Sequence, residues 1–140
     1  MTTPLSIRFD PGLLARLRRR VNATTGSTTS ALAQRLIDEG LRMADHPGVI
    51  FKDGQSGRRA ALAYGPDVWE IIKFLREIDE RGPAALEAAA DVLALDVSRI
   101  STAVSYYADY PEEIDAEIAA AEEASAHAEE AWRIQRRLIA

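Results

Sequence analysis

Residues 4–44 read PLSIRFDPGLLARLRRRVNATTGSTTSALAQRLIDEGLRMA. The stretch opens on an alternating segment, Leu5-Ser6-Ile7-Arg8-Phe9. A side-chain period of two sends Leu5, Ile7 and Phe9 to one face and Pro4, Ser6 and Arg8 to the other. A lone strand leaves backbone donors and acceptors open along both edges. No second strand of this kind follows nearby, so the simplest partner is the same strand of a second copy of the chain.

Helix signals come next. Asp10 can accept from the free amides of a first turn and Pro11 suits the first helical position, so a helix is predicted to begin there. Leu13, Leu14, Leu17 and Val21 form its apolar stripe, and Arg16, Arg18, Arg19 and Arg20 occupy the remainder. Gly26 marks the turn. Thr28 or Thr29 should cap a second helix that carries Leu32, Leu36, Ile37, Leu41 and Met43.

This order of strand, helix, turn and helix resembles the ribbon-helix-helix family of DNA-binding proteins, to which Arc and MetJ belong. The resemblance rests on the alternating strand, the Asp10-Pro11 start and the Gly26-Ser27-Thr28-Thr29-Ser30 entry to the second helix. It implies a homodimer, or a higher even oligomer, whose two strands pair into a ribbon that enters the major groove of double-stranded operator DNA. Ser6 and Arg8 would then meet base edges, arginine being suited to bidentate contact with guanine. Thr28, Thr29 and Ser30, with Arg16, Arg19 and Arg20, would hold phosphates. A plain dimerisation module with a capped helix is the alternative reading.

The chain has 140 residues and no cysteine, so disulfides, thiolate metal sites and cysteine nucleophiles are outside its chemistry. The N-terminus lacks the apolar region of a signal peptide, and no run approaches the roughly 18 apolar residues of a membrane span. A cytoplasmic protein without membrane contact is expected. Net charge is −5, but it is unevenly spread. Residues 1–44 carry seven arginines against three carboxylates, residues 45–108 seven cations against ten, and residues 109–140 three against nine. A basic head on an acidic body is compatible with nucleic-acid binding by the head alone.

Asp45-His46-Pro47-Gly48 breaks the helical pattern. Val49–Lys52 and Arg58–Ala63 flank Asp53-Gly54-Gln55-Ser56-Gly57, which is a hairpin signal. A helix should follow from Asp67, with Val68, Ile71, Ile72, Leu75 and Ile78 inward and Trp69 partly covered, until Arg81-Gly82-Pro83. Pro83 to Leu95 and Val97 to about Tyr107 form a further helical pair of helix-turn-helix spacing, with Ala94 where the turn glycine usually sits. Contact with DNA there would fall to Ser98, Arg99, Ser101 and Thr102. Net negative charge and a single arginine favour a scaffold instead.

Residues 46 to about 132 also resemble the family catalogued as domain of unknown function 433, a helical fold of winged helix-turn-helix type. The residues that carry this are His46-Pro47-Gly48, Gly57-Arg58-Arg59-Ala60, Gly65-Pro66-Asp67-Val68-Trp69-Glu70, and Tyr106-Tyr107 followed by Pro111-Glu112-Glu113-Ile114-Asp115. Commoner members have Pro-Val-Ile and Gly-Thr-Arg in the hairpin where this chain has Gln55-Ser56-Gly57-Arg58-Arg59. The resemblance implies an antitoxin of a bacterial toxin-antitoxin pair, whose cognate toxin would be a PIN-like nuclease.

From Pro111 the pattern is one long helix, with acids at its start and Arg133, Arg136 and Arg137 at its end. Ile114, Ile118, Ala121, Ser125, Ala128, Trp132, Gln135 and Ile139 recur at spacings of four and three. That stripe is too alanine-rich and polar to hold a lone helix, so it should lie on a partner surface, with Ile114, Ile118, Glu122 and Trp132 as toxin contacts. The competing expectation is that the helix folds back on its own module or pairs within the dimer.

His46 and His127 lie in unrelated contexts, and no phosphate loop, nucleophile elbow or spaced metal ligands appear. The sequence is therefore read as non-enzymatic, without cofactor or metal. The expected fold is mainly α: a ribbon-helix-helix dimer unit at 1–45, a winged-helix-like module with one β-hairpin at 46–110, and an acidic C-terminal helix at 111–140. The expected function is an autorepressing antitoxin, with a stand-alone ribbon-helix-helix repressor as the alternative.

Overall fold

The computed structural model describes residues 1–54 and 57–140. They divide into two compact units, Met1–Arg42 and Met43–Ala140. Among the described residues the protein is mainly helical, with six helices and one two-stranded antiparallel sheet.

The first unit is built on α1 (Pro11–Asn22) and the start of α2 (Thr29–Asp45). The Asp10 carboxylate accepts from the amides of Gly12 at 3.0 Å and Leu13 at 3.2 Å, so the predicted cap and the proline after it set the start of α1. Thr28 caps α2, its hydroxyl accepting from the Ala31 amide at 3.1 Å. Residues 1–10 hold neither helix nor strand. The strand expected over 5–9 is thus not formed within one chain, because a strand exists through bonds to a neighbour and this unit offers none.

The second unit opens with a hairpin of β1 (Val49–Gly54) and β2 (Gly57–Leu62), in register from Val49 opposite Leu62 to Gly54 opposite Gly57. Gln55 and Ser56 of the predicted turn lie outside the described residues. Four helices follow: α3 (Val68–Glu77), α4 (Pro83–Leu93), α5 (Val97–Asp109) and α6 (Pro111–Ile139). α3 is central, packing on β2, α4, α5 and α6. Val49, Leu62, Val68, Ile71, Ile100, Ala103, Tyr106 and Ile114 make up most of the core.

Three features of the second unit differ from the sequence reading. The helix expected to run until Arg81-Gly82-Pro83 ends at Glu77, where Ile78 turns to an extended conformation (φ −88°, ψ 156°). The helix predicted to run to Leu95 ends at Leu93, because Ala94 takes a left-handed conformation (φ 54°, ψ 47°) and the Leu95 amide turns back to the Ala90 carbonyl. The long helix is one element, but Ile114 and Ile118 are 0% and 4% exposed within the unit's own core. Their assignment as toxin contacts is therefore corrected. A side chain already enclosed by its own fold has no surface left for a partner.

The Tyr-Tyr and Pro-Glu-Glu-Ile-Asp residues have a packing explanation. Tyr106 is fully buried, lies edge-on to Phe51 and His46, and donates its hydroxyl to Glu113 Oε2 at 2.9 Å. Tyr107 donates to Asp115 Oδ1 at 2.8 Å, and Arg76 of α3 bonds both. The Tyr107 hydrogen bond, aided by Arg76, holds the Asp115 carboxyl below its ordinary value. These contacts fix the start of α6 against α5 and α3.

Candidate nucleic-acid and partner interfaces

In the first unit only Leu32 and Glu39 are buried. Leu5, Ile7, Phe9, Leu13, Leu36, Ile37 and Leu41 remain exposed, from 37% at Phe9 to 81% at Leu5. Leu5, Ile7 and Phe9 nevertheless share a cleft with Leu14, Leu17 and Ile37, while Ser6 and Arg8 do not line it. Thr2, Thr3 and Pro4 line this cleft too, so the alternation read from sequence holds from Leu5 to Phe9 and not at Pro4. Arg16, Arg19 and Arg20 line a second cleft with Leu13 and Leu36. At 100° per residue these three arginines fall on one face of α1 and Arg18 falls apart from them. Thr29 and Ser30 border the N-terminal cleft at the start of α2, beside the Thr28 cap.

The second unit concentrates its polar chemistry around Asp67, which is 5% exposed. Lys52 and Arg59 sit opposite one another in the hairpin register. Lys52 Nζ lies 2.9 Å and Arg59 Nε 2.8 Å from the Asp67 carboxylate, and Trp69 Nε1 donates to it at 3.0 Å. The Asp67 amide donates to Glu70 Oε2 at 2.8 Å, which closes the N-terminus of α3. Asp67 was legible in sequence only as a helix start. The overlooked signal was the pair of like charges that the hairpin register sets face to face, which calls for an acid between them.

Beside this cluster a small cleft is lined by Arg58, Arg59, Trp69, Ala116, Glu117 and Ala120. Glu117 Oε2 is buried there without a hydrogen-bond partner. Burial pushes the Glu117 carboxyl up to about 7, with Glu113 and Asp67 adding to the rise and Arg59 opposing it. A larger groove of α3 and α6, reached also by Leu93 at the end of α4, is lined by Trp69, Phe74 and Ala121 and by Glu70, Glu77, Glu122 and Glu129. Lys73 also lines it, held 2.5 Å from Glu77.

The four residues considered for DNA contact on α5 are differently placed. Arg99 donates to the Ala63 carbonyl and so ties α5 to the end of the hairpin, and Thr102 turns back to the Ser98 carbonyl at 3.0 Å. Ser98 and Ser101 are exposed. His46 is 5% exposed, with Nε2 2.8 Å from Asp109 Oδ2 and Nδ1 3.5 Å from Ser105 Oγ. Ser105 and Asp109 are one turn apart on α5, so they brace the imidazole at both ring nitrogens while Tyr106 and Tyr110 pack edge-on against it. His127 is exposed on α6.

Of the four expected toxin contacts, Glu122 borders the α3–α6 groove, Trp132 is exposed further along α6, and Ile114 and Ile118 are core. Among the described residues no group of three or more acidic, histidine or cysteine side chains could hold a metal ion. No described helix is long and apolar enough to cross a membrane. Comparison of the chain with protein-family models, curated proteins and solved structures found no match in any of the three.

Proposed function

We propose that the protein is a dimeric DNA-binding regulator that reads operator DNA through its first unit and acts as an antitoxin through its acidic second unit. The observation that carries the DNA reading is the apolar surface of the first unit. Leu5, Ile7 and Phe9 line one cleft yet stay exposed, α1 buries none of its residues, and residues 1–10 form no strand within the chain. A second copy supplies both the missing strand and the missing apolar cover. Two such segments in a ribbon turn Ser6 and Arg8 toward base edges, while Arg16, Arg19 and Arg20 and the α2 start at Thr28, Thr29 and Ser30 meet phosphates.

The antitoxin reading rests on the α3–α6 groove, whose lining of two aromatic rings and four carboxylates suits a basic partner such as a PIN-like nuclease. It replaces Ile114 and Ile118 as the docking surface and keeps Glu122. A repressor acting without a toxin uses the same first unit and leaves this groove idle.

Arg8→Ala tests the ribbon. Its preference for a duplex from upstream of its own reading frame over a random duplex should fall about tenfold or more, from the ~1–3 kcal/mol of an arginine–guanine pair. Wild-type binding should also fall steeply with salt as counterions are released. An Arg8→Ala protein that discriminates as well as wild type overturns the ribbon reading. Co-expression with the adjacent reading frame separates antitoxin from lone repressor: growth arrest relieved by this chain supports the first, and a harmless neighbour supports the second.

A further inference from the structure

The groove of α3 and α6 repeats one spacing on its two walls. On α3 it is lined by Trp69, Glu70, Lys73, Phe74 and Glu77. On α6 the lining residues are Ala121, Glu122, Ser125, Ala126 and Glu129, which stand at the same steps of one, three, one and three. Such steps trace one face of a helix over two turns. Because both faces open on the same groove, the two helices run side by side along it. A carboxylate stands at either end of each wall, Glu70 and Glu77 on one, Glu122 and Glu129 on the other, seven residues and so about 10.5 Å apart. Between the ends lie the half-buried Phe74 ring and the small Ser125 and Ala126.

The charge of this lining is one-sided. Lys73 is its one cation and lies 2.5 Å from Glu77, while Glu129 pairs outside the groove with Arg133 at 2.6 Å. Four acids against Lys73 and Arg133 leave an excess of two negative charges, and all four glutamates are exposed. A polypeptide that answers this pattern needs two cations about 10.5 Å apart on one side. In a helix, residues i and i+7 meet that distance within about 20° of the same face, with i+3 and i+4 between them. In an extended strand the nearest match is i and i+3, about 10 Å apart, and those side chains point to opposite faces. The groove therefore selects a helix over a strand and a cationic occupant over an anionic one.

We propose that the groove of α3 and α6 binds one helix of a basic protein, with lysine or arginine at i and i+7 against the end carboxylates and apolar side chains at i+3 and i+4 over Phe74 and Ala126. That the basic protein is a toxin rests on the antitoxin reading; the helix and its spacing rest on the two walls alone. The docked helix gives the half-buried Trp69 and Phe74 the cover they lack and packs as a third helix beside α3 and α6.

The probe is a synthetic alanine-rich peptide of about eighteen residues, long enough to hold a helix, with lysines seven apart and leucines three and four residues after the first lysine. A control of the same composition has its lysines five apart, which turns one of them about 140° away from the other. Titrated into the full-length protein, the first should bind about tenfold more tightly or better. Equal affinities would mean that charge attracts the peptide without regard to spacing and would overturn the proposal. Glu122→Gln combined with Glu129→Gln, both at exposed positions, should weaken the first peptide about tenfold, and an unchanged affinity would overturn it too. In a Trp132→Phe protein Trp69 is the one remaining tryptophan, and its emission should shift as the peptide binds; a silent Trp69 puts the peptide elsewhere and removes the groove. Co-expression with the adjacent reading frame keeps the two readings apart. Relief of arrest by a chain that ignores the peptide spacing strikes the docked helix and leaves the antitoxin, whereas spacing-selective binding beside a harmless neighbour does the reverse.

Discussion

Lys52 and Arg59 face each other across the hairpin, and Asp67 offsets their repulsion by ion-pairing with both while also receiving the Trp69 indole. The carboxylate, rather than the size of the residue, is what this position requires. Asp67→Asn keeps the volume but leaves two cations around a neutral amide, and urea unfolding should show a loss of about 2 kcal/mol. Glu117 acts in the opposite sense. Its carboxyl is raised from 4.5 to about 7, so the folded chain holds that proton more tightly than the unfolded chain. The associated stability is complete below pH 4.5 and is lost as pH rises through about 7. Glu117→Gln should flatten the change in urea midpoint across that window. A variant with the wild-type slope would show that another group titrates there.

At the level of elements, capping and turn chemistry were legible in the sequence, and tertiary partners were less so. Asp10, Pro11, Thr28, Asp67, Pro83 and Pro111 each open a helix where their chemistry places one. The exposed alternating segment could not announce whether it forms a strand, because that depends on a neighbour outside the sequence pattern. The α6 stripe was read as one continuous surface, yet Ile114 and Ile118 enter the core and the later residues do not. Periodicity gives a face and does not say where along it the covering elements end. Ala94 is a different case, since its position in place of a turn glycine was visible from the start. Its left-handed conformation is one an L side chain adopts at a cost. Ala94→Gly should therefore raise the stability of the second unit by about 1 kcal/mol, read as a higher thermal midpoint. A lower midpoint would mean that the methyl group contributes more by packing than it costs in the backbone.

Across the whole molecule, charge and burial divide along the same line. The first unit holds the excess of arginine and buries two residues, whereas the second holds the acids and nearly all of the buried core. The sequence exposed the charge division directly. It could not reveal that the buried Asp67 and the half-buried Glu117 belong to one neighbourhood, because Glu117 arrives there from a helix fifty residues further along the chain.

The uncovered length of α6 also bears on how long the protein survives. A helix that no core holds down opens often, and an opened stretch bearing Arg133, Arg136 and Arg137 is a ready substrate for trypsin-like cleavage. Cleavage after those arginines removes no member of the buried core, whose last residue along the chain is Ile118.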